Sequence, residues 1–162
     1  MKRLVLLFAC AALLGVPVGA SAKPPSASEV AARTKLFDLI NARRADKALV
    51  ALVEDPFVDH EAYHHSKAMW RAGSVSHAGY RKRVNAIEEH DPDYTVLCEN
   101  VASAHGVTSA RTAARGVFRF WRSSAGHRQC IDAATAEVAG VGVQRSGTDW
   151  YFTLIVVDDA TP

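Results

Sequence analysis

A run near the C-terminus, DWYFTLIVV at residues 149–157, is apolar at almost every position. Successive side chains of a strand point to opposite faces, so this run predicts a strand buried on both faces of a sheet. The preceding stretch, EVAGVGVQR at residues 137–145, also has strand character, and the Ser146-Gly147-Thr148 segment between them predicts a turn. We therefore expect a hairpin at the centre of the fold, with other elements covering it.

Most of the remaining chain has helical patterns. Apolar spacing and capping residues predict helices over residues 29–44, 55–73, 80–90 and 108–124, the first two capped by Ser28 and Asp55. Residues 91–103 have the β-branched and aromatic content of a third strand. Three or four helices with these strands predict an α+β fold, in which helices cover a mostly antiparallel sheet of three strands or slightly more.

The N-terminus has the pattern of a secretory signal peptide over residues 1–22, with a basic start, an apolar run and an Ala-x-Ala ending. A lipid anchor at Cys10 is the alternative, but Phe8 stands where a lipobox prefers a small residue. We expect a secreted or periplasmic protein with a lead-in at residues 23–32, a domain at 33–158 and a tail at 159–162. Export would leave Cys98 and Cys130 as a pair in an oxidising compartment, so we predict a disulfide between them, with two buried free thiols as the alternative.

The charge of the chain limits its partners. Cleavage would remove Lys2 and Arg3, which lowers the 19 basic residues to 17, equal to the 17 acidic ones. A near-neutral protein has no bulk charge for nucleic acid or an anionic membrane, and no second apolar run is long enough to span a bilayer. We expect no nucleic-acid partner and no transmembrane segment.

The segment His60-Glu61-Ala62-Tyr63-His64 matches the H-E-x-x-H pattern of zinc proteases. However, the apolar positions of this helix form one stripe, and both histidines lie more than a quarter turn away from it. The extended pattern of these proteases would also require other residues at Lys67 and Trp70. We therefore predict that His60 and His64 are exposed and catalytically silent, and keep a zinc protease at His60, Glu61 and His64 only as a remote alternative.

Six other short motifs occur in a fixed order. They are Leu39-Ile40-Asn41-Ala42-Arg43; Ala62, His65, Ser66 and Met69 in A-x-x-H-S-x-x-M; Ser76-His77; Cys98-Glu99-Asn100-Val101-Ala102; and Trp121, Ser124, Gly126, His127 and Arg128, followed by G-V-G-V at residues 140–143. In order and spacing the chain resembles the CAP superfamily of SCP-like proteins, in its bacterial exported form. The resemblance covers about residues 33–157.

The resemblance implies an α-β-α sandwich with a groove where two histidines and acidic residues can hold zinc or another divalent cation. His77 and His127 match the histidines and Glu99 matches the first acid, while Ser124 stands where many members have the second. Glu137 comes close to an acidic position of bacterial members, but it would need a β-bulge to reach the groove. Cys98 replaces the usual glycine, which fits pairing with Cys130.

Two classes of function follow from these residues. The first is a binding module of the cell envelope or exterior for a lipid, peptide, glycan or protein. The second is a metal-dependent hydrolase that uses His77, His127 and Glu99. Glu99 could also bond the two histidines without metal, and His65, on the apolar stripe of its helix, is either a buried hydrogen-bonded histidine or a further ligand. No set of nucleophile, base and orienting group can be identified from the sequence.

Overall fold

The protein is represented by a computed structural model that describes residues 24–160. The expected signal peptide at residues 1–22 lies outside this range. The described chain contains α1 (Ala27–Ala45), β1 (Val53–Glu54), α2 (Pro56–Ala72), α3 (Tyr80–His90), β2 (Tyr94–Ala104), α4 (Ala110–Ser123), α5 (Ala125–Ile131), β3 (Val138–Ser146) and β4 (Asp149–Asp159). None of these helices is long and apolar enough to cross a membrane.

The expected α+β fold is confirmed, with a sheet of four strands in the order β1-β3-β4-β2. β4 lies between β3 and β2 and is antiparallel to both, whereas β1 is parallel to β3. β4 is buried along almost its whole length, as its apolar run predicted. The sequence did not predict the additional strand β1, because its two residues are too few to show an alternating pattern.

Helices cover both faces of the sheet. One core cluster joins α1 and α4 to alternate residues of β3 and β4, among them Val141, Val143 and Phe152. On the other face, α2 lies against β3 so closely that a Cβ at Gly140 or Gly142 would overlap the backbone of α2. The G-V-G-V motif thus has two glycines that admit a helix on one face and two valines that build the core on the other.

Two helix starts show how local capping works. α2 begins at Pro56 with Asp55 as N-cap and ends at Gly73, in agreement with the prediction. α1 differs from it, because Ser26 rather than Ser28 is the N-cap. Ser26 has Glu29 three residues later, so the two side chains complete a capping box that Ser28 cannot form.

A β-bulge in β2 decides where the side chains after it point. Val96 pairs with Val157 and Cys98 pairs with the next residue of β4, Val156, so Leu97 is an extra residue in the ladder. The bulge places Glu99 on the α2 face and the residues beside it, Cys98 and Asn100, on the α4 and α5 face. In β3, by contrast, the register with β4 is continuous from Val138, so the bulge that Glu137 would need is absent there.

The predicted disulfide between Cys98 and Cys130 is confirmed, with Cα atoms 5.7 Å apart. It joins the edge strand β2 to α5 across 32 residues of sequence. Closing a loop of this length contributes roughly 3 to 4 kcal/mol in the chain-entropy account. The disulfide therefore fixes α5 against the strand that carries Glu99.

Candidate functional site: a groove along the edge strand

A groove of about 430 Å³ runs along the free edge of β2. The segment between α2 and α3 forms one wall, and the junction of α4 and α5 forms the other. The lining residues are Val75, Ser76, His77, Val101, Ala102, Ser103, Phe120 and His127. His77 and His127, 50 positions apart in sequence, thus line the same groove.

Glu99 lies beneath the groove, with only 1% of its side chain exposed. Arg83 of α3 binds both carboxylate oxygens, with Nε 2.7 Å from Oε2 and Nη2 2.9 Å from Oε1. The Nδ1–H of His77 donates to Oε1 at 2.8 Å. A buried carboxylate needs a counter-charge and hydrogen bonds to offset its desolvation, and Arg83 with His77 supplies both.

His77 itself is more than half exposed, so its ring bridges the buried ion pair and the solvent. Because a carboxylate can only accept, Nδ1 carries the proton, and Nε2 of the neutral ring is left as an acceptor. Glu99 therefore fixes both the orientation and the tautomer of His77.

His65 lies below the same wall and is 4% exposed. Its Nε2–H donates to the carbonyl of Ser76 at 2.8 Å, so it supports the segment that carries His77. Burial lowers the pKa of His65, an effect that the nearby Glu99 carboxylate partly opposes. His65 is thus a buried, hydrogen-bonded histidine, the first of its two expected alternatives.

His127 is placed by the side chain next to Glu99. The Asn100 amide donates to the carbonyl of His127 at 2.8 Å, and the imidazole lies against Phe120 with ring centres 5.1 Å apart. Its Nδ1 is buried and has no hydrogen-bond partner within residues 24–160. Burial is the main cause that lowers the pKa of His127, and His77 adds to it.

Two expected groove residues lie elsewhere. Ser124 ends α4 and starts α5, and its side chain makes no capping hydrogen bond. Glu137 is exposed beside β1, where its carbonyl accepts from Val53, and neither residue lines the groove. The structure brings together His77, His127 and the buried Glu99, and leaves Ser124 and Glu137 apart.

Sequence reasoning missed Arg83 and Phe120. Arg83 is 8% exposed and stands one turn before the buried Ile87 of α3. An arginine on the apolar side of a short helix is a signal of a buried ion pair, although it does not reveal the partner. Phe120 is 51% exposed at the groove wall, and its sequence position gave no sign of that exposure.

The donor set does not fit the expected three-ligand metal site. Both oxygens of Glu99 already accept hydrogen bonds from Arg83, whose positive charge would also oppose a bound cation. Across residues 24–160, no group of three or more His, Cys, Asp or Glu side chains is placed to hold a metal ion. Arg83 occupies the electrostatic role that a metal would have beside this carboxylate.

The two histidines of the H-E-x-x-H match lie on the outer side of α2. His60 and His64 are exposed, as the helical periodicity predicted, and their ring centres are 4.3 Å apart. A second pocket, of about 390 Å³, lies beside them and includes Arg33 and Asp59. Arg33 pairs with Asp59 at 2.5 Å, and burial raises the pKa of Asp59 to about 6.

A mixed sheet between α2 on one face and α1 with α4 on the other defines an α-β-α sandwich of the SCP-like class. The profile of the cysteine-rich secretory protein family, CAP, matches residues 37–158. The chain belongs to the CAP family. Among curated proteins, none matches the sequence significantly.

Solved structures share this fold at low sequence identity. A cysteine-rich secretory protein from Staphylococcus aureus superposes with a TM-score of 0.62 and 18% identity, over 85% of this chain and 41% of the other. An extracellular protein containing a SCP domain from Bacillus anthracis gives 0.62 and 21%, over 85% and 45%. NaASP2 with Zn²⁺ gives 0.61 and 14%, over 82% of both chains. The chain thus spans less than half the length of the two bacterial proteins.

Proposed function

We propose that this protein is a binding module of the cell exterior or envelope, and that its groove takes an extended peptide segment. The observation that carries the proposal is the open edge of β2 along the groove floor. β2 ends the strand order, so one side of its backbone faces the groove instead of another strand. Addition of a strand to such an edge is a common mode of peptide recognition.

The hydrogen-bond pattern identifies which backbone groups face the groove. The carbonyl of Val101 accepts from the Trp121 indole at 3.2 Å, so Val101 points away from β4. Alternate residues of an antiparallel strand face the same way, so the N–H and C=O of Ser103 share this direction. Ser103 thus offers a donor and an acceptor to an extended ligand.

The walls of the groove suit a peptide with apolar side chains and polar backbone groups. Val75 is 41% and Phe120 is 51% exposed, one on each wall. His77, which is more than half exposed, presents an oriented ring nitrogen to the groove. Apolar side chains of a ligand would contact Val75 and Phe120, and a backbone N–H would donate to His77.

Location outside the cell is supported by independent features. The disulfide suits an oxidising compartment, and the N-terminal pattern is that of an export signal. A structural relative from Bacillus anthracis is described as an extracellular protein. We infer secretion or residence in the periplasm.

A library of capped heptapeptides tests this proposal by fluorescence anisotropy. The best binder should lose at least tenfold in affinity when alternate backbone nitrogens are methylated, because strand addition depends on those groups. Phe120→Asp should weaken binding similarly. Val50→Asp, which changes an exposed apolar residue outside the groove, is the matched control and should bind as wild type.

Equal binding of the methylated and unmethylated peptides would contradict strand addition. A different outcome would assign the groove to a lipid: no peptide binds, and a fluorescent fatty acid binds the wild type but not Phe120→Asp.

The His77–Glu99 pair favours a hydrolase as the second candidate, because a carboxylate that orients an imidazole is part of many catalytic sites. However, in residues 24–160 no hydroxyl is hydrogen-bonded to His77, and the residues present do not form a three-ligand metal site. Turnover of ester or peptide substrates that disappears in His77→Ala would establish this candidate. Turnover that is unaffected by this substitution would show that the His77–Glu99 pair does not carry it.

A further inference from the structure

The match to H-E-x-x-H on α2 plays no part in the groove. His60 and His64 stand one helical turn apart, and their ring centres are 4.3 Å apart. His60 has 59% of its side chain exposed, and His64 is also an exposed residue. Two accessible imidazoles are therefore held side by side on a rigid helix.

We propose that His60 and His64 form a two-histidine site for a divalent transition-metal ion such as Zn²⁺, with water in the remaining coordination positions. Imidazole nitrogens suit zinc, copper and nickel, and bind them about 2 Å away. Residues four apart on a helix face the same side, so one ion can reach both rings. The helix backbone already restricts both side chains, which lowers the entropy lost on binding.

Neighbouring acids support this site. The Glu61 carboxylate lies 3.5 Å from Nδ1 of His60, where it can orient the ring and leave Nε2 for the metal. Glu29 and Asp59 line the adjoining pocket and are opposed there by one arginine, Arg33. Lys67 and Arg71 lie further along α2 and act against a cation, so the site should be weaker than an enclosed one.

The geometry separates this site from a protease. A catalytic zinc centre uses three protein ligands plus a water, and among residues 24–160 no third His, Cys, Asp or Glu completes the set. Glu61 would also need a zinc-bound substrate beside it, whereas it does not line the pocket next to the two histidines. The site therefore binds metal without hydrolysing peptides.

Calorimetric titration of the purified, disulfide-bonded protein with Zn²⁺ alone at pH 7.5 tests the proposal. We expect one equivalent to bind, and His60→Ala and His64→Ala each to weaken that binding at least tenfold, as loss of one of two ligands requires. His105→Ala, at another exposed histidine, is the matched control and should bind as wild type. The His77→Ala, His127→Ala double variant should also retain the affinity.

Absence of zinc binding by the wild type would overturn the proposal. So would equal binding by wild type and the His60→Ala, His64→Ala double variant. Binding that is lost only in the His77→Ala, His127→Ala variant would transfer the metal to the groove. Circular dichroism of each variant establishes that the fold is retained, which is expected because both outer rings are exposed.

Discussion

Two pairs of histidines occupy different faces of this protein and differ in what lies beneath them. His60 and His64 are four positions apart on one helix, and their ring contacts are with each other and with Phe57 and Tyr63 of the same helix. His77 and His127 are 50 positions apart and meet at a groove whose floor covers the buried Glu99. His60 and His64, which stand out in the sequence as part of an H-E-x-x-H match, are the pair with few tertiary contacts.

The difference shows where side-chain geometry comes from. Helical spacing alone places His60 beside His64, so local sequence is sufficient. His77 is placed by Glu99, which in turn is held by Arg83 and oriented by the bulge at Leu97. We therefore expect substitutions under the groove to reduce stability strongly and substitutions at the outer pair to have almost no effect.

The largest effect should follow from Arg83→Met, which leaves Glu99 buried without its counter-charge. Breaking one partner of a buried ion pair costs about 3–5 kcal/mol in the free energy of unfolding. Urea unfolding followed by tryptophan fluorescence measures it. Arg81→Met, an exposed arginine on the same helix, is the matched control and should change little.

The double variant Arg83→Met, Glu99→Met sharpens this prediction. Removing both charges leaves no unpaired ion, so most of the lost stability should return. A double variant as unstable as the single one would mean that Arg83 acts through packing rather than charge.

The next largest effect should follow from Cys98→Ala, Cys130→Ala. Loss of the disulfide should lower the free energy of unfolding by up to roughly 3 to 4 kcal/mol, because the unfolded chain regains the freedom of its closed loop. Reduction of the wild-type protein should reproduce most of this change. Zinc binding at the outer pair should remain, since α2 is not tied by the disulfide, and its loss would contradict the independence of the two regions.

How much of this structure the sequence predicts depends on how local each feature is. Asp55, Pro56 and Gly73 predicted the bounds of α2 because capping involves neighbours within one turn. Capping also predicted Ser28 as the N-cap of α1, and that prediction was wrong, because Ser26 forms a capping box with Glu29. The β3–β4 hairpin was predicted from its turn and from the apolar run of β4.

The interior of the site was not predictable in the same way. The resemblance indicated His77, Glu99 and His127, but it could not show that Arg83 would hold both oxygens of Glu99. The bulge at Leu97 depends on the register between β2 and β4, and no residue of β2 alone encodes it. Pairing between elements distant in sequence decides both features.

A smaller effect should appear in the pH dependence of stability. The pKa of His65 in the folded state is lowered below its ordinary value of 6.5 by burial. Below pH 6.5 the unfolded chain therefore binds a proton that the folded protein does not, and the free energy of unfolding falls as the pH falls from 6.5 toward that lowered pKa. His65→Gln keeps a donor for the Ser76 carbonyl and should remove this contribution.

Urea unfolding at pH 7.5, 6.5 and 5.5 measures the difference between wild type and His65→Gln. The difference in the free energy of unfolding between the two proteins should be smaller at acidic pH, because the wild type loses stability faster there. Asp59, whose pKa is raised to about 6, gives the opposite slope, but it is present in both proteins and cancels in the difference. Parallel curves would show that His65 takes up its proton equally in the folded and unfolded states.

The smallest effect should follow from His60→Ala and His64→Ala in the presence of a chelator. Exposed side chains with few contacts change the free energy of unfolding by no more than about 0.5 kcal/mol. His77→Ala is the matched comparison, since it removes an imidazole that is similarly exposed but donates to Glu99, and should cost about 0.5–1.5 kcal/mol. With chelator replaced by excess Zn²⁺, the wild type and His77→Ala should gain more stability than His60→Ala and His64→Ala, because a ligand that binds the folded state alone stabilises it more the tighter it binds. Equal losses for His60→Ala and His77→Ala without metal would show that exposure, rather than the buried carboxylate beneath, sets the cost at both faces.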